Sequence, residues 1–129
     1  MLSDRAQEII RSKAMAHLAV VDSAGRPHVT PVWADVNDAG ELWFNTAVGR
    51  LKDRYLQLGD QIAVSVTNLD NPYEYVQVRG TVAERRTDTG DADIDALAKK
   101  YMGVDSYPLR KEGEQRVTIV VRPTSTTGA

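Results

Sequence analysis

Gln61-Ile62-Ala63-Val64-Ser65-Val66-Thr67 alternates without a break, with Ile62, Val64 and Val66 on one face and Ala63, Ser65 and Thr67 on the other. A period of two sustained over the stretch is a strand with one face turned to a core. On its C-terminal side, Asn68 to Pro72 supplies turn residues. Tyr73 to Arg86 then repeats the pattern, setting Val76, Val78 and Val82 against Tyr73, Tyr75, Gln77 and Arg79, with Gly80 marking a bend or bulge. Two alternating stretches across a short turn are an antiparallel pair, and the rest of the chain extends that theme.

On the N-terminal side stands Thr46-Ala-Val-Gly-Arg-Leu-Lys-Asp-Arg54, between an aromatic strand (Leu42, Trp43, Phe44) and a short helix reading on through Tyr55, Leu56 and Leu58. A hydroxyl, a glycine and three cations gather where a strand hands over to a helix. Free backbone N–H groups and the positive end of the helix dipole point outward at such a junction, which suits a phosphate. Cations there are otherwise mildly unfavourable, so their presence argues for an anion. Register decides which of them act together. In a continuous helix Arg50 and Arg54 would share a face and Lys52 would point away. Arg50 and Lys52 can grip one anion only if the chain near Gly49 is still loop and the helix begins near Lys52.

Further out, Ser3 is placed to cap a helix running to about Lys13, with a narrow apolar stripe of Leu2, Ala6, Ile9 and Ile10 that reads as a lid. Met15 to Asp22 is a strand, and Asp22 to Gly25 a turn. Pro27 to Val36 is a second strand in which Pro31 offers no N–H to the ladder, implying an edge, a bulge or an opening in the sheet. Glu41 to Asn45 is the third strand. Ile94, Leu97, Ala98, Tyr101 and Met102 follow helical spacing, and Gly103 suits a C-cap. A polar loop, Asp105 to Glu114, leads to a last strand, Val117 to Arg122, which Pro123 is expected to stop, leaving Thr124–Ala129 frayed. The expectation is one domain over residues 1–129, mainly β, a six-stranded antiparallel split barrel with peripheral helices.

Composition narrows the function. A formal charge of −2 lacks the cationic excess of a nucleic-acid binder. With no cysteine there are no disulfides and no thiol chemistry, which fits a reducing cytoplasm. No apolar run approaches the roughly 20 residues of a membrane span, and the N-terminus lacks a signal-peptide core. A cytoplasmic protein is expected. His17 and His28 lie on different strands without a carboxylate cluster, so no metal site is expected. No nucleophile elbow or Walker lysine is present, and the acidic pairs Asp91/Asp93 and Glu112/Glu114 read as solvated surface. An anion clamp without catalytic side chains suits a protein whose reactive atom belongs to a bound cofactor.

Four motifs occur in order: Gly25-Arg-Pro-His-Val-Thr-Pro-Val-Trp33, Leu42-Trp-Phe-Asn-Thr46, Gly49-Arg-Leu-Lys-Asp-Arg54 and Val76-Gln-Val-Arg-Gly-Thr-Val82. Together they resemble the pyridoxamine 5′-phosphate oxidase-like, FMN-binding split-barrel superfamily. Within it the chain is most similar to the branch that uses the deazaflavin coenzyme F420. The resemblance implies a homodimer with cofactor sites at the subunit interface, and hydride transfer from reduced F420 to an electron-poor quinone, enone or tetrapyrrole-like acceptor. It implies that Thr30 and Val32 line the ring, that Asn45 and Thr46 border the ring and ribityl-phosphate, and that Arg50 and Lys52 hold the phosphate with Arg54 close by. Tyr75 and Gln77 would come from the partner subunit. Tyr55 departs from relatives that carry Asn there. Read from the residues, Val32, Trp33 and Phe44 are candidates for a flat apolar slot; Trp33, Trp43 and the Tyr73/Tyr75 face equally suit packing. The alternatives are FMN as cofactor in an oxidase or reductase, or a non-catalytic flavin or haem carrier. Vitamin B6 oxidation itself is not expected, because the C-terminal segment that true pyridoxamine 5′-phosphate oxidases use is not in this sequence. The Asp105–Glu114 loop, with Tyr107, Arg110 and Lys111, reads as solvated surface or as a contact for substrate or for the acidic tail of the deazaflavin.

Overall fold

The computed structural model describes residues 1–129 and holds seven strands, two α-helices and one turn of 3-10 helix. The strands are β1 (Ala16–Val21), β2 (Pro27–Val32), β3 (Ala34–Val36), β4 (Leu42–Ala47), β5 (Gln61–Thr67), β6 (Tyr75–Arg86) and β7 (Arg116–Gly128). The helices are α1 (Asp4–Arg11) and α2 (Gly90–Met102), and the 3-10 turn is Lys52–Tyr55. All neighbouring strands are antiparallel, in the order β2-β1-β5-β6-β7-β4-β3.

The count is seven rather than six because the expected second strand is two. Val32 pairs with Ala16 of β1, whereas Ala34 pairs with Phe44 of β4. Trp33 alone carries the chain from one edge of the sheet to the other. The sheet therefore curls into a half-barrel whose two edges meet at one seam, and Pro31 sits on an edge strand where a missing N–H is tolerated.

The alternation of β5 and β6 fills the inside: Ile62, Val64, Val66, Val76, Val78 and Val82 are all buried, along with Leu18, Leu42, Phe44, Val117, Ile119 and Val121. Each such side chain contributes about 1.5–3 kcal/mol on burial. Ser3 Oγ accepts from the Ala6 N–H at 3.0 Å and caps α1. Leu2, Ala6, Ile9 and Ile10 are 0–3% exposed and belong to the main core cluster. The expected lid is thus a plug that completes the core.

Pro123 does not end the last strand, and residues 124–128 are not frayed: β7 continues through Gly128 against β6. The register shifts between Arg79 and Gly80, leaving Thr124 as the extra residue of a bulge. Beyond Val120, β7 has only β6 beside it, so a strand residue without an N–H is accommodated. A Cβ on Gly80 would lie 2.3 Å from the Arg122 carbonyl oxygen, so only glycine allows this approach. No helix is long and apolar enough to cross a membrane.

Candidate functional site

Beyond β4 the chain stays in loop until the 3-10 turn begins at Lys52, as joint action of Arg50 and Lys52 requires. Gly49 supplies the turn with φ +88°, a value that side-chain-bearing residues rarely adopt. Its N–H donates to Asp53 Oδ2 at 2.9 Å, and Asp53, 4% exposed, is ion-paired through Oδ1 to Arg85 of β6 at 2.8 Å. Arg85 also donates to the Leu56 carbonyl at 2.8 Å. The loop that carries the two cations is therefore held to the sheet from beneath, by residues the motif reading passed over.

Arg50 and Lys52 line a cleft of about 180 Å³ together with Val32, Trp33, Asn45, Thr46, Tyr107 and Arg116. Three cations share this cleft with one nearby carboxylate. Glu114 accepts from Arg50 Nη2 at 3.0 Å and from Arg116 Nη1 at 3.1 Å. Burial alone would raise the Glu114 carboxyl, but the hydrogen bond and charge of Arg116, joined by Arg50, hold it below its ordinary range. Lys52 has no carboxylate partner. Burial, together with the charges of Arg50 and Arg116, pushes its ammonium below its ordinary value. A half-buried lysine facing two more cations is an unbalanced arrangement that an anion would neutralise.

Beside these cations Thr46 is 1% exposed, and its Oγ1 is buried without a hydrogen-bond partner. Buried hydroxyls are nearly always satisfied, so an orphan on the wall of a cationic cleft fits a ligand oxygen. The residues present thus fit a phosphate-bearing group.

Asn45 is spent internally. Its Nδ2 donates to the Gly90 carbonyl at 2.9 Å and to Thr118 Oγ1 at 3.2 Å, while its Oδ1 accepts from Arg116 Nε at 2.8 Å. Thr118 Oγ1 donates to Asp93 Oδ2 at 2.6 Å, and Thr89 Oγ1 donates to the same oxygen at 2.8 Å. This buried chain ties the start of α2 to β4 and β7 and fixes Arg116, which is 4% exposed. A Cβ on Gly90 would sit 2.1 Å from the Arg116 carbonyl oxygen.

The aromatic wall is Trp33, stacked on Tyr101 at 5.3 Å between centroids with planes 7° apart, and edge-on to Tyr107 at 6.0 Å. The Arg116 guanidinium lies 5.2 Å from the Tyr107 ring centroid, within cation–π range. Tyr107 and Leu109 come from the loop after α2, which is not simply solvated. The Tyr107 N–H donates to Asp95 Oδ1 at 2.8 Å, and Arg110 pairs with Asp91 at 2.9 Å and Asp95 at 2.5 Å, fastening the loop over the cleft. Tyr101 Oη and Lys100 Nζ hold the other end of α2, the former donating to the Ala14 carbonyl and the latter to those of Ile10 and Ala34.

Of the residues expected at the site, Val32, Asn45, Thr46, Arg50 and Lys52 meet in this cleft. Thr30 lines a second cleft that shares Arg50 and Lys52. Arg54 is exposed and lines neither, because it follows Lys52 round the 3-10 turn. Tyr75 and Gln77 point from the outer face of β6, opposite buried Val76 and Val78, and also line neither. Phe44 is not a slot wall; it is fully buried in the core. Arg116 and the anchoring role of Asp53 went unpredicted, whereas Tyr107, expected as solvated surface or as a contact for substrate or tail, lines the cleft. Neither Asp93 nor Glu114 is solvated surface, since both sit in the buried polar network. The one signal for Arg116 was a cation opening an otherwise apolar strand.

A family model described as "Pyridoxamine 5′-phosphate oxidase" matches residues 2–128. Among solved structures the chain is similar to one described as "F420 Reductase", with 32% identity, 98% of each chain covered and a TM-score of 0.82. It shares its fold with a conserved hypothetical protein from Mycobacterium tuberculosis (20% identity, 98% of this chain and 83% of that one, TM-score 0.71). It also shares it with the FAD binding protein from Mycobacterium smegmatis (19% identity, 100% of this chain and 94% of that one, TM-score 0.65). No curated protein matches the chain.

Proposed function

The chain belongs to the pyridoxamine 5′-phosphate oxidase family, and from that premise we propose that it is an oxidoreductase that binds the deazaflavin coenzyme F420 and reduces an electron-poor conjugated acceptor. The observation that carries the reading is the cationic cleft: Arg50, half-buried Lys52 and Arg116 against the lone carboxylate of Glu114, with the unsatisfied Thr46 hydroxyl beside them. The surplus of two positive charges suits a phosphodiester and the acidic tail beyond it. The 32% identical structure described as an F420 reductase, matched over 98% of both chains, supports that cofactor.

When bound, the reduced deazaflavin supplies the hydride. The chain's residues supply position and field. Arg50, Lys52 and Arg116 hold the phosphate, charge-assisted donors being among the stronger polar contacts. Thr46 Oγ1 donates to or accepts from the ribityl-phosphate end. Thr30, Val32 and Trp33 flank the ring, and Tyr107 with Leu109 limits water on its open side. In a homodimer, Tyr75 and Gln77 of a second copy would reach the cleft from their outer sheet face, and light scattering of the purified protein tests that assembly. The hydride acceptor is a small molecule, and the protein is expected to work in the cytoplasm.

The surplus charge also suits the dianionic phosphate of FMN, which keeps an FMN-dependent oxidase or reductase as the second reading. Titrating the apoprotein separately with F420 and FMN, with ligand fluorescence as readout, distinguishes the two. Micromolar or tighter F420 binding with FMN much weaker is the expected result. Preference for FMN would transfer the protein to the second reading. Tight F420 binding without turnover of any quinone or enone would make it a carrier. Unchanged affinity in an R50A/K52A protein would sink the phosphate site itself.

A further inference from the structure

His28, Thr30 and Val32 stand on one face of β2, opposite the inward-facing Val20, Leu18 and Ala16 of β1. At about 3.3 Å per residue, this stripe runs roughly 13 Å along the edge of the sheet. Val32 lies in the cleft described above. His28 and Thr30 line a second cleft of about 310 Å³ with Val20, Leu51 and Tyr55, and Arg50 and Lys52 wall both. His28 thus sits at the far end of the same stripe that would flank the ring.

Its ring is oriented. His28 Nε2 is 2.9 Å from Asp22 Oδ2. Asp22, with a side chain 4% exposed, also accepts from the Ala24 and Arg26 N–H groups and from Arg26 Nε, each at 2.9 Å. These bonds, His28 first among them, hold Asp22 far below the usual carboxylate range, so it stays ionised and can only accept. Nε2 therefore carries the hydrogen. Nδ1 makes no hydrogen bond within the chain, and the side chain is 38% exposed, open to exchange with water. The other titratable or charged groups about the ring are Arg26 on the turn side and Arg50, Lys52 and Tyr55 across the cleft.

We infer that His28 is the proton donor of the reaction proposed above, with Asp22 as its positioning residue and a conjugated enone as the kind of acceptor that needs it. The inference rests on the deazaflavin reading. A hydride from reduced deazaflavin forms a C–H bond at the β-carbon of the enone, and the deazaflavin is oxidised by two electrons. The π-electrons move to the enolate, and the Nδ1–H proton of the imidazolium passes to it, giving the saturated ketone. The neutral ring keeps Nε2–H on Asp22 and takes its next proton from water.

The test uses H28Q and D22N with two readouts. In the apoprotein, ¹⁵N NMR should show His28 as the Nε2–H tautomer when neutral. Oxidised F420 should shift its resonances. Loss of the tautomer preference in D22N is expected; a wild-type Nδ1–H tautomer would overturn the inference. In turnover, general-acid loss should slow H28Q on an enone by about 10²-fold or more and abolish the fall of kcat at alkaline pH. A quinone, whose hydroquinone anion needs no site proton, should suffer at least tenfold less, by the same proton-transfer reasoning. Equal enone rates in H28Q and wild type, an unchanged pH profile, or no enone turnover by wild type would each overturn the inference. Failure of the wild type to bind F420 would instead overturn the reading beneath it.

Discussion

Lys52 separates a site residue from a structural one with unusual clarity. It is half-buried, has no carboxylate partner, and shares its cleft with Arg50 and Arg116, which divide Glu114 between them. Replacing it by Met keeps the apolar stem and deletes the charge. Relieving such a site is worth about 0.5–2 kcal/mol. Near 1 kcal/mol, the apoprotein Tm should rise by about 4 °C for a chain of this size. The same change removes one charge-assisted contact to phosphate, about 1.5–3 kcal/mol, and so weakens F420 binding roughly 10- to 150-fold. The pH dependence has a definite sign. Burial and the two arginines depress the folded-state ammonium, so between that value and the ordinary 10.5 the unfolded chain holds a proton that the folded chain does not. Wild-type stability therefore gains as pH rises through that window, and the lead of K52M should shrink as pH climbs towards 10.5. Differential scanning fluorimetry across pH, paired with fluorescence titration of F420, reads both effects. A lower Tm in K52M would mean that the lysine is structural. Unchanged affinity would mean that it does not meet the ligand.

Three further outcomes are expected. Thr46→Val removes an unsatisfied buried hydroxyl, so the apoprotein should be unchanged or more stable by up to about 1 kcal/mol in urea titrations, while F420 binds more weakly. Arg116→Met strips Asn45 Oδ1 of its donor and Glu114 of one of its two cations. Because Arg50 still holds Glu114, the loss should fall at or below the roughly 3–5 kcal/mol of a broken buried pair, read from the urea midpoint at constant m-value. Gly90→Ala pushes a methyl into the Arg116 carbonyl; it should cost about 1–3 kcal/mol, and hydrogen exchange should show faster opening at the start of α2.

Local chemistry was legible where one segment decides the outcome. The alternation of Ile62, Val64 and Val66, the bulge at Gly80, and the Ser3 and Gly103 caps all follow from neighbours in sequence, whereas the helix expected to run on through Leu58 is a single 3-10 turn that stops at Tyr55. The break at Trp33 was not legible, because Val32, Ala34 and Val36 keep the same parity and are buried alike. Only pairing with β1 on one side and β4 on the other divides them. Pro123 misled for a related reason: a proline stops a strand with neighbours on both sides, and whether β7 had them depended on topology. The acidic pairs and the loop after α2 looked solvated because charge alone does not reveal that Arg50 and Arg116 converge on Glu114, or that Arg110 binds Asp91 and Asp95. Arg54, which the resemblance put close to the phosphate, is exposed and lines neither cleft, a side-chain direction that the motif alone does not carry.

The position of β7 between β6 and β4 bears on how the molecule is made. Until residues 116–128 have been synthesised, the β3–β4 hairpin has no strand to join, and the β2-β1-β5-β6 half of the sheet ends in an unpaired β6. The sheet can therefore close only once β7 is present, and closure should follow the arrival of that strand. β4 brings Asn45 and Thr46, and β7 brings Arg116, so the cationic cleft comes into being in the same step that seals the sheet. A chain short of β7 has neither the closed sheet nor the complete cleft, and gains both together.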